Sequence, residues 1–198
     1  MTVLPATEAL PAASRYEERA FGFWLYLMSD AIIFALLFAT YVVMAGNTAG
    51  GPTGKDVFSL GRAAAETAIL LASSTTFGLA TIALAASDRS RVLAWLAVTA
   101  TLGAAFLFLE LGEFRGMIAA GAGPDRSGFL SSFFALVGTH GLHVGIGMLW
   151  IVVMIGQVLV KGLTVPVASR LMRLGLFWHF LDIVWVAIFS IVYLPGLS

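Results

Sequence analysis

The sequence predicts an all-α integral membrane protein: a bundle of five transmembrane helices, with the N-terminus cytoplasmic and the C-terminus outside. Three observations carry this. Of 198 residues, 60% are hydrophobic and only 11% are charged, less than half the roughly 25% charged content of a soluble domain. Mean hydropathy is +0.96. The apolar residues fall into five long runs, each long enough for the roughly 20 residues that a bilayer core requires. Eleven basic residues balance eleven acidic ones, so the basic excess of a nucleic-acid binder is absent. There is no cysteine, which excludes disulfides, CxxC redox motifs and thiolate metal sites.

The chain divides into a polar cytoplasmic N-terminal tail, residues 1–20, and a five-helix domain, residues 21–198. The tail carries Glu8, Arg15, Glu17, Glu18 and Arg19. It lacks the apolar core of a cleavable leader, so the first span is expected to remain as an uncleaved anchor. The spans are read at about 22–44, 64–86, 92–114, 129–160 and 172–194. The fourth exceeds what a bilayer needs and is expected to tilt or protrude. Between them lie turn-rich connections: Gly46 to Gly54, Ser87 to Arg91, Gly121 to Gly128, and a last loop with Pro166. Ser127 is placed to cap the fourth helix, and Pro195-Gly196 ends the fifth.

Loop charge sets the orientation. Arg15, Arg19, Arg89, Arg91, Lys161, Arg170 and Arg173 lie on the N-terminal side, against Lys55, Arg62, Arg115 and Arg126 on the other. No internal repeat is present, and five spans do not divide into two inverted halves, which weighs against a repeat-built transporter. The spans are rich in Ala and Gly, which lets helices approach closely.

Ionisable groups within spans are costly and usually face protein, water or a partner charge. Asp30 lies about 12 Å into the first span at 1.5 Å per residue, with Tyr26 and Phe34 one turn away. It reads as a proton-exchanging carboxyl or subunit contact, or as a protonated acid hydrogen-bonded inside the bundle. His140 and His143 are spaced i, i+3 and share a helix face, as do His179 and Asp182. All four count to the middle of the bilayer. A metal or haem site is one reading. Interhelical hydrogen bonding that fixes the packing is the other, and the favoured one. Glu66, Glu110 and Glu113 lie toward the outer ends of their spans. Arg62 precedes Glu66 by one turn and Arg115 follows Glu113, so interfacial pairing or lipid-headgroup contact is expected. Trp24, Tyr26, Trp150, Trp178, Trp185 and Tyr193 read as packing or interface-belt residues rather than a cofactor box.

Several strings carry a resemblance. Phe21-Gly22-Phe23-Trp24-Leu25-Tyr26-Leu27-Met28-Ser29-Asp30, Gly138-Thr139-His140-Gly141-Leu142-His143-Val144 and Phe177-Trp178-His179-Phe180-Leu181-Asp182-Ile183-Val184-Trp185 resemble the helical core of subunit III of haem–copper oxidases. Ala49 to Asp56 and Gly123 to Leu130 resemble the bo-type ubiquinol oxidase branch of that family. The five motifs occur in order across five spans, from Phe21 to the C-terminus. The resemblance implies a non-catalytic subunit with no catalytic, cofactor or metal residue of its own. Haem and copper would belong to subunit I, which reduces oxygen to water and pumps protons with quinol as donor. The partners implied are subunits I, II and IV and membrane lipids, with phospholipid as a ligand of the wider family and no nucleic acid. The location implied is the bacterial inner membrane. Asp30 falls where the cytochrome c oxidase relatives carry a carbodiimide-reactive Glu, here one methylene shorter. The five spans match the five-helix form of the quinol oxidase branch rather than the seven-helix form.

Two other functions compete. One is a stand-alone proton or ion transporter with Asp30, His140, His143, His179 and Asp182 as a relay. The other is a haem- or metal-binding redox subunit in its own right. The resemblance places the oxidase subunit first.

Overall fold

The computed structural model describes residues 10–196, with side chains described from Phe21 onward. Its elements are α1 (Leu10–Met44), α2 (Gly54–Val57), α3 (Leu60–Ala85), α4 (Arg89–Ala119), α5 (Gly128–Lys161), α6 (Val165–Ile188), a π-helical turn (Phe189–Tyr193) and α7 (Leu194–Gly196). Five stretches are long and apolar enough to cross a membrane: Phe21–Met44, Leu60–Ala85, Arg89–Ala119, Gly128–Lys161 and Val165–Gly196.

The helices outrun the expected spans, for local reasons. In α1 the helix extends back to Leu10, through a stretch expected to be a polar tail. Arg15, Glu17, Glu18 and Arg19 are good helix formers, so their charge ends the apolar run without ending the helix. The remainder of that expected tail, residues 1–9, lies outside the described residues. The last span was expected from residue 172, but α6 starts at Val165 because Pro166 sits in its first turn, where a missing N–H costs nothing. At α5, 34 residues span about 51 Å against a hydrocarbon core of about 30 Å, so it must tilt or protrude.

Capping fixes the ends. Ser127 Oγ accepts the Leu130 N–H at 3.2 Å and Asp88 Oδ1 accepts the Arg91 N–H at 3.0 Å, each relieving an orphan donor of a first turn. Arg89 donates to the Leu159 carbonyl at 2.7 Å, so the start of α4 satisfies an acceptor at the end of α5. Between α3 and α4 the chain turns within three residues, with Ser87 at φ +56°.

In the bundle, α1 packs on α5 and α6, α3 on α4 and α6, and α5 on both α4 and α6. The largest side chains of the core are aromatic. Trp178 and Trp185 of α6 are 1% and 0% exposed. Trp178 fits because two partners have no side chain. A Cβ on Gly103 of α4 would meet Met148 Sδ at 2.6 Å and the Trp178 ring at 3.0 Å, and one on Gly147 of α5 would meet the other edge of that ring at 3.0 Å. Buried indole N–H groups need an acceptor, and small hydroxyls of α3 supply it: Trp178 donates to Ser73 Oγ and Trp185 to Thr67 Oγ1, both at 3.0 Å.

Candidate functional site

The ionisable residues singled out in the spans form three separate groups, plus one isolated imidazole. The first group joins α1 to α5. Asp30 is 5% exposed, and its Oδ2 lies 3.7 Å from His143 Nε2. The other imidazole nitrogen, Nδ1, is 2.8 Å from the Thr139 carbonyl oxygen. A carbonyl only accepts, so Nδ1 bears the hydrogen. In the neutral ring Nε2 is then a bare acceptor turned toward Asp30. Phe34 covers the imidazole, its ring centre 5.2 Å away. Asp30 and His143 were placed in different spans without being paired. Their association is a product of α1–α5 packing.

The second group is acidic. Glu66, Glu110 and Glu113 are 0%, 2% and 4% exposed. They were expected at the interface, paired with arginine or touching headgroups. Instead they point into the bundle, because Glu66 shares its stripe with the buried Ala63, Leu70 and Ser73 of α3, and the two acids of α4 share theirs with the buried Phe106 and Met117. Tyr193 donates a long hydrogen bond of 3.4 Å to Glu113 Oε2. The carboxyl oxygens of Glu66 and Glu110 have no hydrogen-bond partner among the described residues. Arg62 is the cation whose field reaches Glu66 and Glu113. A cleft of about 170 Å³ lined by Asp56, Arg62, Glu113 and Met117 opens beside the group. A groove of about 470 Å³ between α4 and α5 counts Glu110 among its lining residues.

The third group lies between α3 and α6. Ser74 Oγ is 2.8 Å from His179 Nδ1, Asp182 follows one turn later, and its Oδ1 has no hydrogen-bond partner among the described residues.

His140 stands apart. It is fully buried among Trp185, Phe106 and Phe34, with ring centres at 5.3, 5.9 and 6.4 Å. Neither ring nitrogen has a hydrogen-bond partner among the described residues. The two i, i+3 pairs of the sequence therefore do not converge on one site. Among the described residues, no group of three or more His, Asp or Glu side chains is arranged to hold a metal ion.

Sequence reasoning missed Ser74 and Tyr193 as polar partners. The signal for the first was present: Ser73-Ser74-Thr75-Thr76 is a run of hydroxyls in the middle of an apolar span. Outside the spans, Asp56 is held below the usual carboxylate range by the Thr53 backbone N–H and then by the Thr53 hydroxyl, at 2.8 and 2.7 Å.

The sequence matches the family model described as cytochrome c oxidase subunit III over residues 15–197. This chain belongs to that family. Subunit III is a non-catalytic subunit of a membrane oxidase complex, an oxidoreductase that is not built from this chain alone. Its relatives include the cytochrome bo(3) ubiquinol oxidase subunit 3 of Pseudomonas aeruginosa, 56% identical over 176 residues, covering 89% of this chain and 84% of the relative. The protein of the same name from Buchnera aphidicola is 48% identical over 92% of this chain and 94% of its own. The cytochrome c oxidase subunit 3 of Bacillus sp. strain PS3 is 38% identical over 98% of this chain and 93% of its own. The polar groups described above are thus features of a non-catalytic oxidase subunit.

Proposed function

We propose that this chain is the third subunit of a bacterial proton-pumping ubiquinol oxidase. It sits in the inner membrane with its N-terminus cytoplasmic and its C-terminus outside. It packs with subunits I, II and IV, and supports assembly, stability and durable turnover while haem and copper reside in subunit I. The observation that carries this is the 56% identity to a ubiquinol oxidase subunit 3 over 176 residues, against 38% to a cytochrome c oxidase subunit 3. The excess of Lys and Arg on the N-terminal side supports the orientation. The tail of residues 1–20 and the domain of residues 21–198 fit it as the cytoplasmic extension and the five-helix oxidase subunit III domain. Asp30 and His143 are assigned the role of a buried polar pair that joins α1 to α5, and His140 a packing role. Glu66 and Glu110 are buried polar groups of the support role, as are His179 and Asp182.

Phospholipid is assigned as a ligand of the cleft between the end of α1 and the C-terminal turns. That cleft has a volume of about 690 Å³ and is lined by Tyr41, Thr53, Lys55, Phe129, Ser190 and Ile191. Its apolar walls suit an acyl chain, and Lys55 suits a phosphate.

Purification in mild detergent through a tag after Ser198, read by absorption spectrum and subunit mass, tests the reading. Haem, three partner chains and quinol-dependent oxygen uptake are expected. A lone haem-free chain from cells that express the whole oxidase would overturn it in favour of a transporter.

A further inference from the structure

The Ser74, His179 and Asp182 group is not enclosed by the bundle. All three residues are half-buried, on the outer surface where α3 meets α6. Ser74 is the fifteenth of the 26 residues of α3, about 21 Å from its start at 1.5 Å per residue. His179 stands equally far into α6. The group is thus at the middle of the membrane, where neither water nor a lipid headgroup reaches. His179 Nδ1 is occupied by Ser74. Its Nε2 has no hydrogen-bond partner among the described residues and is not closed off by the bundle, whereas Asp182 Oδ1 is unpartnered but buried within the chain. Acyl chains have no hydrogen-bonding atom, so this surface is incomplete against lipid. The surroundings suit a helix. Leu176 and Ile183 of α6 are 39% and 68% exposed and flank the group at helical spacing. Gly78 of α3, one turn from Ser74, leaves open space beside its backbone, which permits close approach.

We propose that this α3–α6 face is the docking surface for a transmembrane helix of a partner subunit, one that presents a hydroxyl, amide or other hydrogen-bonding side chain at mid-membrane to His179 Nε2. The polar atom and its apolar flanks together select the occupant: an acyl chain supplies no hydrogen-bonding group, whereas a helix supplies both the group and an extended apolar face for Leu176 and Ile183. The inference rests on the reading of the chain as an oxidase subunit, and it adds which face is covered and by what chemistry.

The test uses the whole oxidase in native membranes, with a photoreactive benzophenone side chain at Ile183. Irradiation is expected to join this chain to another oxidase subunit, identified by peptide sequencing. Adducts with lipid alone, or with a second copy of this chain, overturn the proposal. The substitution Ile183→Trp changes an outward side chain and spares the bundle. It is expected to lower the haem recovered per tagged chain about tenfold, the effect of roughly 1.4 kcal/mol of lost association, and full recovery overturns the proposal. Haem recovery through the unsubstituted chain separates the two levels. If haem is recovered while Ile183 meets only lipid, the face is wrong and the subunit assignment stands. If no haem is recovered, both fall.

Discussion

His143 Nε2 faces Asp30 Oδ2 across 3.7 Å, linking α5 to α1 in the middle of the membrane. The imidazole is oriented by its own helix, since Nδ1 is tied to the Thr139 carbonyl oxygen one turn back. The ring nitrogen left without its own hydrogen in the neutral imidazole, Nε2, is therefore the one turned toward the carboxyl. Asp30→Asn keeps the shape and removes the acid. We expect oxygen reduction in the assembled oxidase to continue at near its initial rate, with a shorter lifetime during turnover. We also expect a loss of about 1–3 kcal/mol in subunit stability, the usual cost of unbalancing a buried polar pair. Oxygen uptake followed to inactivation reads the first, and thermal release of the subunit reads the second. Complete loss of oxygen reduction in a haem-replete mutant would contradict a supporting role.

The Trp178 ring between Gly103 and Gly147 gives a packing test. Gly103→Ala puts a Cβ within 2.6 Å of Met148 Sδ and 3.0 Å of the indole. Overpacking of this kind costs about 1–3 kcal/mol. Gly112→Ala, in the same helix, meets nothing within 4 Å and is expected to be neutral or to stabilise by about 0.5–1 kcal/mol through helix propensity. The thermal midpoint should fall for Gly103→Ala and hold or rise for Gly112→Ala. Equal shifts would mean that the indole is not the constraint.

Glu110 tests whether an acid without a partner destabilises the bundle. Its carboxyl has no hydrogen bond among the described residues and is 2% exposed. Glu110→Met fills similar space without that desolvation cost and is expected to raise stability by about 1–3 kcal/mol. Differential scanning of the intact complex checks it. A fall instead would show that another chain reaches Glu110 through the groove between α4 and α5.

Asp56 provides a dependence on pH outside the membrane. Its carboxyl accepts the Thr53 N–H and hydroxyl, and these bonds hold its pKa below the ordinary value of 3.8. A depressed folded-state value means that the turn is favoured by the ionised form. The contribution is whole above 3.8 and fades as pH falls through the depressed value. Hydrogen exchange at the α2 amides should therefore accelerate, relative to the intrinsic rate, only in that acidic window. Asp56→Asn should abolish the acceleration. An unchanged profile in the variant would refute the capping role.

The five spans and the membrane class were legible in the amino-acid sequence, because burying apolar side chains in lipid leaves a composition signal that needs no partner contact. Ser127 as a cap was legible for the same reason: capping is a contact within one turn. Helix ends were less legible. Arg15, Glu17, Glu18 and Arg19 end hydropathy but not helicity, and Pro166 in a first turn begins a helix where it looked like a loop. The pairings were not legible at all. Asp30 meets His143, Ser74 meets His179, and Tyr193 meets Glu113 across 113, 105 and 80 residues, and only the packing of α1 on α5, of α3 on α6 and of the C-terminal turn against α4 brings them together. The inward turn of Glu66, Glu110 and Glu113 belongs to the same class. In a span that is apolar all round, the sequence shows that a polar group is costly, but which neighbour it faces depends on how the helix is rotated, and that is set by shape complementarity such as Trp178 seated between two glycines.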